Sequence, residues 1–108
     1  MVQILEELHS FGIVYNDIKS DNICVGEHGQ IDPGQLKLID FGLCTKYLDK
    51  DGKHLENKNI NEFIGSFEFS SINVMEFKTH SRRDDLWQVF YFLVYLAANR
   101  YIFEYDES

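Results

Sequence analysis

Asp17, Lys19 and Asn22 lie in one short polar stretch, Tyr15-Asn16-Asp17-Ile18-Lys19-Ser20-Asp21-Asn22. A further acid, Asp40, opens Asp40-Phe41-Gly42, eighteen residues beyond Asn22. Each of these residues has an ordinary use, since Asp and Asn bond nearby backbone and shape turns. Together and in this order they are the parts of a phosphoryl-transfer site. Such a reaction needs positioning and charge stabilisation more than covalent chemistry. A carboxylate must accept a hydroxyl proton, and Asp17 can. A cation must steady the group in flight, and Lys19 is two residues away. Mg²⁺ takes hard oxygen ligands, and Asn22 and Asp40 offer an amide oxygen and a carboxylate. Asp-Phe-Gly alone is a weak signal; the ordered set on a strand–turn–strand frame is a strong one.

The elements around these residues follow from hydrophobic period and turn chemistry. Val2, Ile4, Leu5, Leu8 and Phe11 recur at helical spacing and predict an amphipathic helix over 2–11, ending at Gly12. Ile13-Val14-Tyr15 and Ile23-Cys24-Val25 read as short extended pieces. Residues 26–35 are rich in turn formers, and Leu36–Asp40 alternates as a strand does, so 23–39 is expected to be a β-hairpin with a long tip. Residues 43–81 keep no period, which in a compact domain marks a functional or a disordered segment. Ser81 can cap a helix with Asp84 and Asp85 in its first turn, running to about Ala98. Its run from Leu86 to Ala98 is apolar nearly all round and predicts a buried helix. The tail from Tyr101 to Ser108 is ambiguous between elements.

One ordinary domain is the most that 108 residues allow. A hydrophobic fraction of 44%, with one proline and seven glycines, fits a globular chain. The formal charge of −8 argues against non-specific nucleic-acid binding, which rests on neutralising phosphates. The 86–98 run is too short to span a bilayer and holds Gln88, and the acidic start is unlike a secretory leader, so no membrane partner is expected. Cys24 and Cys44 match no disulfide or metal spacing and point to a reducing compartment. His9, His28 and His54 have no metal-ligand spacing, and the aromatic residues at 87–95 are expected to be core.

Three stretches carry a resemblance to a known family. Leu8 to Gly26, LHSFGIVYNDIKSDNICVG, resembles a protein kinase catalytic loop, and Ile39 to Tyr47, IDFGLCTKY, its metal-binding segment. Ser71-Ile72-Asn73 and Ser81-Arg82-Arg83-Asp84-Asp85 resemble the marks of the casein kinase 1 group. The EFSSIN wording is similar to vaccinia-related kinases and DDLWQVFYFLV to tau-tubulin kinases. The resemblance runs over roughly residues 4–98. It implies the mainly helical large lobe of a protein kinase-like fold, truncated: an α+β arrangement with a small β-hairpin. Residues 1–108 would be a partial kinase domain without small lobe or C-terminal helices.

Roles are implied position by position. Asp17 resembles the catalytic base, and Lys19 the loop lysine of kinases acting on Ser or Thr. Asn22 and Asp40 resemble the two Mg²⁺ ligands. Cys24 falls where an apolar residue lies under the adenine ring of ATP, and Ile39 lines the same pocket; by itself Cys24 reads as a small buried apolar residue. Ser66 falls where a hydroxyl contacts the catalytic acid, and Asp85 resembles a buried acid bonded to the backbone of the catalytic loop. Gly42 is expected to free the backbone after the metal ligand. The implied cofactors are ATP and Mg²⁺, the partner a protein bearing Ser or Thr, and the compartment cytoplasm or nucleus.

The departures bear on regulation and substrate. Tyr15-Asn16 stands where the family usually has His-Arg; Asn16 removes a cation that often binds a phosphate on the activation segment. Ser20 replaces a usual proline, which loosens the loop. Glu68 stands at a basic position that helps hold a phosphorylated substrate, while Lys58 keeps a basic one or is an ordinary solvated lysine. Lys78, His80, Arg82 and Arg83 read as a phosphate cluster, as a solvated face or as helix-entry partners of Asp84 and Asp85. The 108 residues hold no Gly-rich phosphate loop before Asp17 and no strand lysine paired with a helix glutamate. Half a nucleotide pocket implies little activity for this chain alone. The alternatives are a kinase-like remnant acting as a binding scaffold and, more weakly, a simple metal-binding domain. The missing lobe, or a partner, would cover the 86–98 helix.

Overall fold

The computed structural model describes residues 1–25 and 35–99. The element order is α1 (Val2–Ser10), β1 (Ile13–Val14), β2 (Ile23–Val25), β3 (Leu36–Leu38), β4 (Thr45–Lys46), α2 (Ile72–Met75) and α3 (Arg82–Ala98). The expected tip glycines Gly26 and Gly29, and the tail 101–108, lie outside the described residues.

Helix α1 forms where the period places it and hands over to a turn at Phe11 and Gly12, whose amides bond Leu8 and His9 carbonyls at 3.0 and 2.9 Å. Its buried face is narrower than the apolar spacing implies. Leu5 and His9 are buried, whereas Val2 and Phe11 are exposed. His9 is held inside by its bond to Asp85, while Val2, on the same face two turns earlier, borders an open cavity with Glu6 and Leu86.

Two small antiparallel sheets follow. β2 and β3 form the expected hairpin in the register Ile23↔Leu38, Cys24↔Lys37, Val25↔Leu36. β1 pairs instead with β4, Ile13 opposite Lys46 and Val14 opposite Thr45, and that pairing is invisible to local pattern. It brings the chain after Asp-Phe-Gly back beside the start of the polar loop. The aperiodic segment 43–81 contributes β4, a single 3₁₀ turn at Phe67–Phe69 and the four-residue α2, which Ser71 caps by accepting from the Val74 amide at 3.2 Å.

Helix α3 starts as its sequence predicts. The Asp84 carboxylate accepts from the Ser81 amide at 2.8 Å, closing the first turn. Its burial departs from expectation. Gln88, Val89, Tyr91 and Phe92 are buried, but Leu86, Trp87, Phe90, Leu93 and Leu96 are 46–58% exposed. The aromatic run is therefore only half core: one side packs on Tyr15, Leu38 and Phe69, and the other is about half exposed, with Leu93 and Leu96 bordering an open cavity beside the hairpin. The core joins Leu5, Tyr15, Ile18, Leu38, Phe69, Val89, Tyr91 and Phe92, with Phe69 meeting Phe92 edge to face at 5.5 Å. No helix among the described residues is long and apolar enough to cross a membrane.

Candidate active site

The polar stretch 15–22 is buried despite its composition: Tyr15, Asn16, Asp17, Ile18 and Asn22 are all inside. Burying a polar loop requires that its groups be bonded, and α3 supplies the partners. Asp85, fully buried, accepts from the Tyr15 amide at 2.7 Å, from the Asn16 amide at 2.8 Å and from His9 Nε2 at 2.8 Å. Three residues further along the helix, Gln88 works in both directions. Its Nε2 donates to the Asn16 carbonyl at 2.6 Å and its Oε1 accepts from the Ile18 amide at 3.1 Å. The expected tie from Asp85 to the loop is present. Gln88 is the partner the sequence did not flag, although a lone amide in an apolar run was a signal for it.

Asn16 takes a left-handed backbone, φ 72°, a conformation Asn tolerates better than most residues. Its amide nitrogen donates to the Leu43 carbonyl at 2.8 Å and to Thr45 Oγ1 at 2.9 Å, and its oxygen faces His80 Nδ1 at 2.7 Å. The Leu43 carbonyl can only accept, so the amide orientation is fixed and His80 must carry its proton on Nδ1. His80 Nε2 is buried without a hydrogen-bond partner. Burial pushes the His80 pKa below its ordinary 6.5, against the opposing pull of Asp84 and Asp85.

The sequence-predicted site residues converge in part. Asn22 Nδ2 donates to the Asp17 carbonyl and to Asp17 Oδ2, both at 2.8 Å, which leaves Asn22 Oδ1 as its free-facing oxygen. Asp17 Oδ1 is buried with no hydrogen bond, and Lys19 Nζ stands 3.9 Å from it. The Ile39 amide donates to the Asn22 carbonyl at 2.9 Å, so Asp40 follows directly beside the loop, exposed. Cys24 and Ile39 both point outward; Cys24 is exposed rather than the buried apolar residue its type predicts, because Ile23 and Leu38 take the inward face of the hairpin. Among the described residues no hydrogen bond joins the Ser66 hydroxyl to Asp17; Ser66 serves Ser70 Oγ through its carbonyl at 2.8 Å.

Two further expectations change. Asp40 itself carries the left-handed φ of 60°, not Gly42. Gly42 sits close to that acid: its amide donates to Asp40 Oδ1 at 3.0 Å, and an added Cβ would lie 3.1 Å from that oxygen. Among the described residues the basic cluster does not converge and forms no salt bridge with Asp84 or Asp85; Arg82 and Arg83 are exposed, as a solvated face requires. Lys78 bonds Asn59 at 2.7 Å, Arg83 bonds Asn73 at 3.1 Å, and Arg82 lies over the Tyr47 ring at 4.9 Å. Tyr15, in place of the usual histidine, is fully buried, bonds the Ile39 carbonyl through its hydroxyl and meets Phe41 edge to face at 5.6 Å. Burial drives the Tyr15 pKa upward, with Asp17 adding to it.

Residues 1–108 match the family described as protein kinase domain. The chain belongs to the protein kinase family. Within it several of its relatives are casein kinases. Over 101 residues the chain is 36% identical to casein kinase 1-like protein HD16 of Oryza sativa subsp. japonica, covering 92% of this chain and 14% of that protein. It is 37% identical over 98 residues to casein kinase I homolog 1 of Saccharomyces cerevisiae, covering 86% and 18%. A probable casein kinase I homolog of Encephalitozoon cuniculi is 33% identical over 100 residues, covering 93% and 30%. These likenesses place the kinase segment in the casein kinase 1 group. The chain spans less than a third of the length of these relatives.

Proposed function

We propose that residues 1–108 are the catalytic-loop part of a casein kinase 1-group protein kinase domain, in which Asp17 is the base that activates a Ser or Thr hydroxyl of a protein substrate. The observation that carries this is the Asp17 carboxylate. One oxygen is tied to Asn22 and the other is a buried acceptor with no hydrogen bond. An orphan carboxylate oxygen next to a lysine is what a hydroxyl proton requires. The donor set also fits Mg²⁺, which takes one or two protein oxygens and fills its shell with water and phosphate: Asn22 Oδ1 and the Asp40 carboxylate are those oxygens. Mg·ATP when bound supplies the phosphoryl group and the charge that offsets its oxygens. In that setting Asp17 Oδ1 would accept the substrate proton, Lys19 would steady the oxygens of the group in transfer, and Cys24 and Ile39, on one outward face of the hairpin, would hold the adenine. Ser66 is assigned to the substrate-bound arrangement, where its hydroxyl turns to Asp17.

Two features shape substrate and setting. Glu68 is exposed on the 3₁₀ turn beside Ser66 and repels a phosphate-primed substrate. Two free cysteines fit a reducing compartment, cytoplasm or nucleus. The fold assigned is the mainly helical large lobe, with the small lobe contributing the rest of the nucleotide site. Phosphotransfer from labelled ATP to protein substrates tests this. Asp17→Asn is expected to lower turnover about 10²–10⁴-fold and Asp40→Ala to abolish it, while the 108 residues alone turn over little or nothing. Turnover indifferent to both substitutions sinks the reading. A scaffold that binds without turnover is the second reading, favoured by the exposed face of α3; a full-length protein with no phosphotransfer would establish it.

A further inference from the structure

Asn16 has every polar function engaged. Its amide meets Asp85, its carbonyl meets Gln88, and its side chain joins Leu43, Thr45 and His80. The residue that follows it is Asp17. Two of the side-chain partners come from separate parts of the chain: Thr45 from β4, and His80 from the approach to α3. We propose that Asn16, Thr45 and His80 form a charge-free clamp that positions the catalytic loop, so that Asp17 is held against the segment after Asp-Phe-Gly without any phosphate. This rests on the reading of Asp17 as the base.

The chemistry of the position supports the assignment. An aspartate at 16 would lose both donors and place a second carboxylate beside Asp85. An alanine would strand the buried His80 Nδ1–H. An arginine would offer donors to Leu43 and Thr45 but no acceptor to His80. The amide alone has donor and acceptor in one planar group, and Asn also tolerates φ 72°. No cation takes part, so the clamp closes when the chain folds. Asn16 and its partners are thus positioning residues. A cavity of about 420 Å³, lined by Thr45, Lys46, Ile60, Glu62, Ile64 and His80, borders the clamp, so position 45 can be changed without opening the core.

The test separates local from global effects. Amide hydrogen exchange is measured in the nucleotide-free protein, together with Mg·ATP affinity, for Thr45→Val, His80→Phe and His80→Gln. Valine keeps the shape of Thr45 and removes its acceptor; glutamine keeps a donor at 80. Thr45→Val and His80→Phe are expected to speed exchange at Asp17–Lys19 roughly five- to tenfold more than in α3, and to weaken Mg·ATP binding. His80→Gln is expected to restore both. Should His80→Phe fail to fold, Thr45→Val carries the same readout. Exchange that rises equally in the loop and α3, or a glutamine that behaves as phenylalanine does, overturns the clamp. If the exchange pattern holds but the wild-type protein binds no Mg·ATP, the clamp stands and the nucleotide reading of the site falls.

Discussion

Asp85 is a buried carboxylate whose oxygens receive two loop amides and the His9 ring. Removing it leaves three buried donors unpaired, so Asp85→Ala is expected to destabilise the fold by about 3–5 kcal/mol, read as a drop in the denaturation midpoint. A midpoint within experimental error of wild type would show that the loop does not depend on it. His80 gives a pH signature of the opposite kind to an ion pair. Its folded pKa lies below 6.5, because burial disfavours the charged ring and its Nε2 has no acceptor for a second proton. Between the folded pKa and 6.5 the unfolded chain binds more protons than the folded one. Stability is therefore whole above pH 6.5 and declines as pH falls below it. Thermal melts from pH 7.5 to 5 are expected to fall less steeply for His80→Gln, and parallel curves would rule His80 out as the group responsible.

At the scale of elements, the 15–22 loop is held between α3 and the 65–69 segment. Gly65 marks the closest approach: its φ is 101°, and an added Cβ would lie 2.4 Å from the Asn16 carbonyl oxygen, backbone against backbone. Gly65→Ala is thus expected to cost more than about 1 kcal/mol and to shift the NMR resonances of Asn16 and Asp17; unchanged loop resonances would contradict that packing. Local pattern was enough for α1, the hairpin and the start of α3, because each has its own period or cap. That Asp17 and Asn22 share one polar loop was legible from their spacing, and the structure ties them together and brings Ile39, next to Asp40, against Asn22. What was not legible is long-range. The β1–β4 pairing, the Gln88 bridge and the Asn16–His80 bond join residues 31 to 72 positions apart, and no local rule encodes them. The burial of α3 was misjudged for a related reason. An all-apolar helix says that it will be covered, not by which part of a protein.

For the whole molecule, that half-covered helix decides behaviour in solution. Leu86, Trp87, Phe90, Leu93 and Leu96 lie along one side of α3, each about half exposed or more. Spacings of three and four residues make them one continuous apolar stripe, and Trp87 stacks on Tyr91 at 5.6 Å along it. Contiguous apolar surface of this kind drives association in water, and the charge of −8 opposes it only at long range. The 108 residues expressed alone are therefore expected to self-associate, more strongly as salt screens the charge. Phe90→Glu with Leu93→Lys should turn the stripe polar without touching the loop, since Asp85 and Gln88 face the other side. Sedimentation at low and high salt checks this. The expected result is a shift to monomer in the double variant with loop resonances preserved. A wild-type chain that stays monomeric at high salt would show that the stripe is too weakly apolar to govern the molecule.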